Sequence, residues 1–128
     1  MDNGRILIAD DSITIATALR IWLTRQGHEV EVVADGLEAW TRVQSEQFDL
    51  IITDCQMPEM TGEELCERLQ TLEGYVSIPV IILTGKATKL DVTKLRERLG
   101  VAEVFPKPFE LADVAQAVEK CLAASEQA

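Results

Sequence analysis

The stretch Asp49-Leu50-Ile51-Ile52-Thr53-Asp54-Cys55-Gln56-Met57-Pro58 decides the fold. Leu50, Ile51 and Ile52 form an apolar run without alternation, which suits a strand covered on both faces. Turn chemistry follows Asp54 at once, and Pro58 disfavours helix at Met57 and opens a loop. Asp54 therefore falls at the carboxyl end of a buried strand, the edge at which open α/β sheets bind ligands. The competing reading makes Asp54 a cap for the loop or the next helix, and this stretch alone does not separate the two.

Outward from it the pattern repeats. Arg5-Ile6-Leu7-Ile8-Ala9 is a second apolar run, and it ends on Asp10-Asp11-Ser12. Ile15, Leu19, Trp22 and Leu23 then recur at helical spacing, with Asp11 or Ser12 able to cap the start and Gly27 to close the helix. Glu29–Val33 reads as an edge strand, Asp35-Gly36 as a turn, and Leu37, Trp40 and Val43 as the buried stripe of a short second helix. Beyond Asp54, Thr61-Gly62 leads into a third helix with Leu65, Cys66, Leu69 and Leu72 on one face. Ile78–Leu83 is a buried strand with Pro79 at its start, and it ends at Thr84-Gly85. A fourth helix carries Leu90, Leu95 and Leu99 to Gly100. Glu103-Val104-Phe105 is a short fifth strand before Pro106-Lys107-Pro108-Phe109. Leu111, Val114, Ala115, Val118 and Leu122 make a last amphipathic helix, and the small polar tail, residues 123–128, is expected to fray. The loop at Glu73-Gly74-Tyr75 is the best candidate for local mobility. Five alternations of strand and helix predict one α/β domain over residues 1–128, with a parallel sheet wound on both faces.

Composition limits the function. A formal net charge of −10 argues against affinity for a nucleic-acid backbone or anionic lipid, and leaves room for a bound cation. No apolar run approaches the ~20 residues of a membrane span, and Met1–Arg5 leads directly into a strand-like run, so neither membrane insertion nor a signal peptide is expected. Cys55, Cys66 and Cys121 are odd in number and lack metal-ligand spacing, which points to reduced thiols in a cytoplasmic protein.

In a parallel sheet the strand ends share one edge, which would collect Asp10, Asp11, Asp54, Thr84 and Lys107. Three carboxylates in one cleft repel, so one takes a proton or a cation enters. Oxygen ligands in a partly hydrated site suit Mg²⁺. With that repulsion offset, Asp54 could act as a nucleophile and form an aspartyl-phosphate. Lys107 would neutralise phosphoryl charge and Thr84 would donate a hydrogen bond to a phosphoryl oxygen. Each residue alone has a plainer role: Asp10 and Asp11 as helix caps, Thr84 as a strand end, Lys107 as a solvated charge.

These residues resemble a known family, the response-regulator receiver domain of two-component signalling, including its single-domain chemotaxis-type members. The features that match are Asp10-Asp11, Asp54 in Asp-Cys-Gln-Met-Pro with Gly62 after it, Thr84-Gly85 and Lys107-Pro108-Phe109. Their spacings fit the family apart from one extra residue in the fourth helix, and the likeness covers essentially the whole chain. The resemblance implies a flavodoxin-like five-stranded parallel sheet of order 2-1-3-4-5 with five helices. It implies that Asp54 accepts phosphate from a histidine-kinase phosphohistidine or a phosphotransfer protein. It further implies Mg²⁺, or Mn²⁺ in its place, held by Asp11, Asp54 and the Gln56 backbone carbonyl, with Asp10 helping mainly through water. The Lys107–Pro108 bond is expected to be cis, and Gln56 and Lys86 are expected to tune the phosphate lifetime. An unidentified downstream protein would read a switched surface around the fourth helix and fifth strand, and phosphorylation could form a homodimer.

One departure concerns the switch. Many receivers carry an aromatic residue three positions before the lysine; here that position is Val104, and neighbouring Phe105 should face the other way. Thr84 would then signal without an aromatic flip. Other functions fit less well. A haloacid-dehalogenase-type enzyme would want a second Asp where Gln56 stands, and Asp10-Asp11 would repel a flavin phosphate. The alternatives carried forward are a degenerate receiver serving as an interaction module and a receiver cut from a larger regulator or hybrid kinase.

Overall fold

The computed structural model describes residues 4–75, 77–85 and 89–127. The elements run β1 (Arg5–Ala9), α1 (Ile13–Arg25), β2 (Glu29–Val33), α2 (Gly36–Ser45), β3 (Leu50–Asp54), α3 (Gly62–Leu69), β4 (Val80–Thr84), α4 (Lys89–Leu99), β5 (Glu103–Pro106) and α5 (Leu111–Gln127). All strand pairs are parallel, and the order is β2-β1-β3-β4-β5. The expected doubly wound, flavodoxin-like α/β architecture is therefore present, with β2 at an edge as its alternating sequence implied.

The central strands are apolar throughout because each face of the sheet has its own core. Leu7, Ala9, Ile51, Val80 and Ile82 point to the side covered by α2, α3 and α4. Ile6, Ile8, Leu50, Ile52, Ile81 and Leu83 point to the side covered by α1 and α5. Each large side chain taken fully out of water there contributes about 1.5–3 kcal/mol.

The helix faces differ from expectation at two places. In α1 the buried positions are Ala16, Leu19 and Leu23, and Trp22 is exposed. In α2 they are Gly36, Ala39 and Val43, with Trp40 packed at the margin and Leu37 exposed. Spacing alone admitted Trp22 and Leu37, whereas the faces turned to the core carry Ala16 between the leucines of α1 and Ala39 with Val43 in α2. α5 continues to Gln127, through residues expected to fray from Ala123. Tyr75 also differs: it is buried, its hydroxyl donates to the Glu46 carbonyl at 2.5 Å and accepts from the Phe48 N–H at 2.9 Å, which pins the loop proposed as mobile.

At the amino-terminal edge of the sheet, charge does the fastening. Arg5 and Arg42 each pair with both Glu31 and Glu46, closing a ring across β1, β2 and the end of α2, and the Arg5 guanidinium lies 4.5 Å above the Phe48 ring. Hydrogen bonds from Arg42 and then Arg5 hold the Glu46 carboxyl down at about 2, against a usual 4.5. A depressed acid adds stability above its usual value and loses it as the pH falls through its folded value. The melting temperature should therefore drop as the pH goes from 4.5 toward 2, and the drop should be shallower in Arg42→Met. Parallel pH profiles for the two proteins would rule out the ring as the cause. The ring is partly exposed, so added salt should also shrink the difference.

Candidate functional site

Register brings the carboxylates together. Ala9 pairs with Thr53, so Asp10 and Asp54 follow side by side at the carboxyl ends of β1 and β3. Asp10 is held by its own turn: its N–H donates to the Val33 carbonyl at 3.1 Å, and its Oδ1 accepts the Ser12 N–H at 2.8 Å. Ser12, not Asp11, caps α1 by accepting the Ile15 N–H. That leaves exposed Asp11 without the capping role the plainer reading gave it. Asp10 and Asp54 are buried, and Asp10, Asp11 and Asp54 offer oxygens within 4.8 Å of one another.

Lys107 enters from the far side of the sheet edge. Its N–H donates to the Thr84 carbonyl at 2.7 Å, and the Lys107–Pro108 peptide is cis. Its Nζ lies 3.4 Å from Asp54 Oδ1 and 3.5 Å from Asp10 Oδ2. Thr84 ends β4 opposite Pro106 and is buried. One ammonium against three carboxylates leaves the edge anionic. Burial first, and the charge of Asp10 second, push the Asp54 carboxyl above its ordinary value, with Lys107 pulling the other way. A group that cannot comfortably ionise, beside two more carboxylates, is the donor set a hard divalent cation fits.

The remaining sequence candidates fall around this edge. Gln56 is exposed in the loop after β3, two residues from Asp54. Val104 is buried in β5 on the α4 side, while Phe105 packs toward α5 with its ring 6.5 Å from that of Phe109. The two neighbours do face opposite layers, as alternation demands. Lys86 lies outside the described residues. Cys55, beside Asp54, carries no sign of reactivity: burial, with Glu63 3.5 Å from its sulfur, pushes its thiol up to about 11.

Sequence reasoning missed the close approaches that build the site's floor. A Cβ on Gly62 would stand 2.2 Å from the Asp54 carbonyl oxygen, so α3 starts directly against the acceptor strand. The Gly62 N–H donates to the Cys55 carbonyl at 3.0 Å, and Thr61 caps the helix in a reciprocal box with Glu64. The signal available in sequence was the Thr-Gly-x-Glu run at the helix start, which gives the cap but not the contact across from it.

Comparison with known proteins bears on all of this. The family model for the response regulator receiver domain matches residues 6–119. The chain is 34% identical over 122 residues to sporulation initiation phosphotransferase F of Bacillus subtilis, covering 95% of this chain and 96% of that protein. It is 36% identical over 122 residues to the DNA-binding transcriptional regulator NtrC of Azospirillum brasilense, and that match covers 95% of this chain. The chain spans only 25% to 50% of the length of such curated transcriptional regulators. Among solved structures, the signal receiver domain of a signal transduction histidine kinase from Syntrophus aciditrophicus superposes with a TM-score of 0.87 at 34% identity, over 98% of this chain and 94% of that one. The chemotaxis response regulator CheY4 of Vibrio cholerae gives 0.81 at 33% identity, over 90% and 98%. No helix among the described residues is long and apolar enough to cross a membrane. Sheet order, the acidic edge and the extent of the match lead to one assignment: the chain belongs to the response-regulator receiver-domain family of two-component systems.

Proposed function

We propose that this chain is a phosphoacceptor switch in which Asp54 takes a phosphoryl group from a histidine-kinase phosphohistidine or a phosphotransfer protein. The observation that carries the reading is Lys107 Nζ, 3.4 Å from Asp54 and 3.5 Å from Asp10 beside a third carboxylate. Asp10, Asp11 and Asp54, with the Gln56 carbonyl, would hold Mg²⁺ or Mn²⁺. When bound, the ion supplies positive charge between the carboxylates and the phosphoryl oxygens. Asp54 uses a carboxylate oxygen to form the O–P bond as the donor P–N bond breaks, and the electron pair leaves on the imidazole nitrogen, which takes a proton. Lys107 neutralises charge on the transferred group and Thr84 donates to one of its oxygens. Attack by water at phosphorus then returns the Asp54 carboxylate and inorganic phosphate. Likeness to a Bacillus subtilis protein named a phosphotransferase supports phosphoryl handling.

The same reading makes the chain a switch that turns over no external metabolite, acting in the cytoplasm, with Gln56 where a second catalytic Asp would be needed for hydrolase chemistry. Its output runs through α4 and β5 to a downstream protein. Val104, packed in the same core as Leu99 and Val101, leaves no aromatic ring to reorient on that side of β5, so Thr84 transmits the signal by backbone movement.

Intact-mass spectrometry after incubation with acetyl phosphate and Mg²⁺ tests the function. One phosphoryl adduct that disappears with a chelator is the expected result. A folded protein that forms no adduct and binds no beryllofluoride would leave the interaction-module reading instead.

A further inference from the structure

The loop that joins β3 to α3 is fixed at two points, and only one of them belongs to the acidic edge. Its neck is the hydrogen bond from the Gly62 N–H to the Cys55 carbonyl. Its far side rests on the start of α2. A Cβ built on Gly36, the first residue of α2, would lie 2.0 Å from the Met60 carbonyl oxygen, 2.8 Å from its carbon and 2.9 Å from its Cβ. No real Cβ contact is that short, and the obstacle is backbone, which cannot swing aside as a side chain would.

The loop has little slack to absorb such a contact. Met57 and Met60 are buried in the core with Ala39 and Val43 of α2. Between them, Glu59 sits at φ +68°, and the Met60 N–H donates to the Pro58 carbonyl at 2.7 Å, a tight three-residue turn. Gln56 lies in the short run between the neck and this turn.

We propose that Gly36 is a positioning residue for metal binding: α2 seats the Met60 carbonyl, and through the closed loop this seat sets where Gln56 stands relative to Asp54. The inference rests on the phosphoacceptor reading above. It places a determinant of metal affinity on a helix that contributes no ligand. A local view would expect the reverse, because alanine is the better helix former.

The test is an Mg²⁺ titration of the full chain, followed by amide chemical shifts, with melting temperatures measured alongside in chelator. Gly36→Ala is expected to weaken Mg²⁺ on the order of tenfold, the scale seen when the support of a metal ligand is disturbed. Val43→Ala, a cavity about two turns along the same buried face of α2, is expected to lower the melting temperature and leave the affinity within about twofold. If Gly36→Ala does not fold, Met60→Ala keeps the carbonyl but removes the buried side chain that holds the loop in the core beside α2, and it should also weaken Mg²⁺. Wild-type affinity in Gly36→Ala or Met60→Ala, or an equal loss in Val43→Ala, overturns the positioning role while the phosphoacceptor reading stands. No Mg²⁺ binding by the wild type overturns both.

Discussion

Asp54→Asn should abolish the phosphoryl adduct and, at the same time, raise the melting temperature of the metal-free protein. The first effect follows because an amide cannot supply the attacking carboxylate oxygen. The second follows from what the carboxylate costs when nothing balances it. Asp54 is buried beside Asp10, and both effects push its proton affinity up. A raised acid is at its least costly when protonated, so the metal-free wild type loses stability as the pH rises past the ordinary aspartate range. Asparagine removes that dependence and keeps the shape, and Lys107 retains Asp10 as a partner. A gain on the order of 1 kcal/mol near neutral pH is typical when a strained functional group is neutralised. Thermal melts of the two proteins in chelator at acidic and neutral pH check this. The gap should open with rising pH; a wild type more stable than the variant at neutral pH would contradict it.

Gly62→Ala should be the most damaging single-methyl change at the site. The added carbon would sit 2.2 Å from the Asp54 carbonyl oxygen and 3.1 Å from Cys55 Cα. Both obstacles are backbone, at the last residue of β3 and the residue after it, so α3 must retreat or the end of β3 must bend. The cost expected is about 3 kcal/mol, at the upper end for overpacking. Retreat of α3 would also break the Gly62–Cys55 hydrogen bond and unseat Leu65 and Leu69 from the core. Chemical denaturation gives the stability change, and Ser in place of Thr61, which keeps a capping hydroxyl, serves as a mild control at the neighbouring position. A loss under about 1 kcal/mol for Gly62→Ala would show that the helix start yields without strain.

The sheet and the acidic edge were legible because they depend on local pattern. Apolar runs ending on Asp54 and Asp10, and on Thr84, announce parallel strands whose ends converge, and the pairing of Ala9 with Thr53 puts the two aspartates level. Val104 and Phe105 could be assigned to opposite layers from alternation alone. What was not legible depends on partners distant in sequence. Trp22 and Leu37 have the right spacing to be buried, yet the faces that α1 and α2 turn to the core carry Ala16 and Ala39 instead. Tyr75 stands in a run of turn residues, and only its bonds to Glu46 and Phe48 make it an anchor. Gly36 and Gly62 read as turn and helix-start glycines; that each faces a carbonyl oxygen of another segment is a fact of packing.

The most direct test of the central claim locates the phosphoryl group. The phosphorylated protein would be reduced with borohydride, which converts an acyl phosphate to the corresponding alcohol, then digested and sequenced by mass spectrometry. Homoserine at position 54 and at neither position 10 nor 11 is the result this account expects. Homoserine at Asp10 or Asp11, or an adduct on a residue outside this edge, would contradict it.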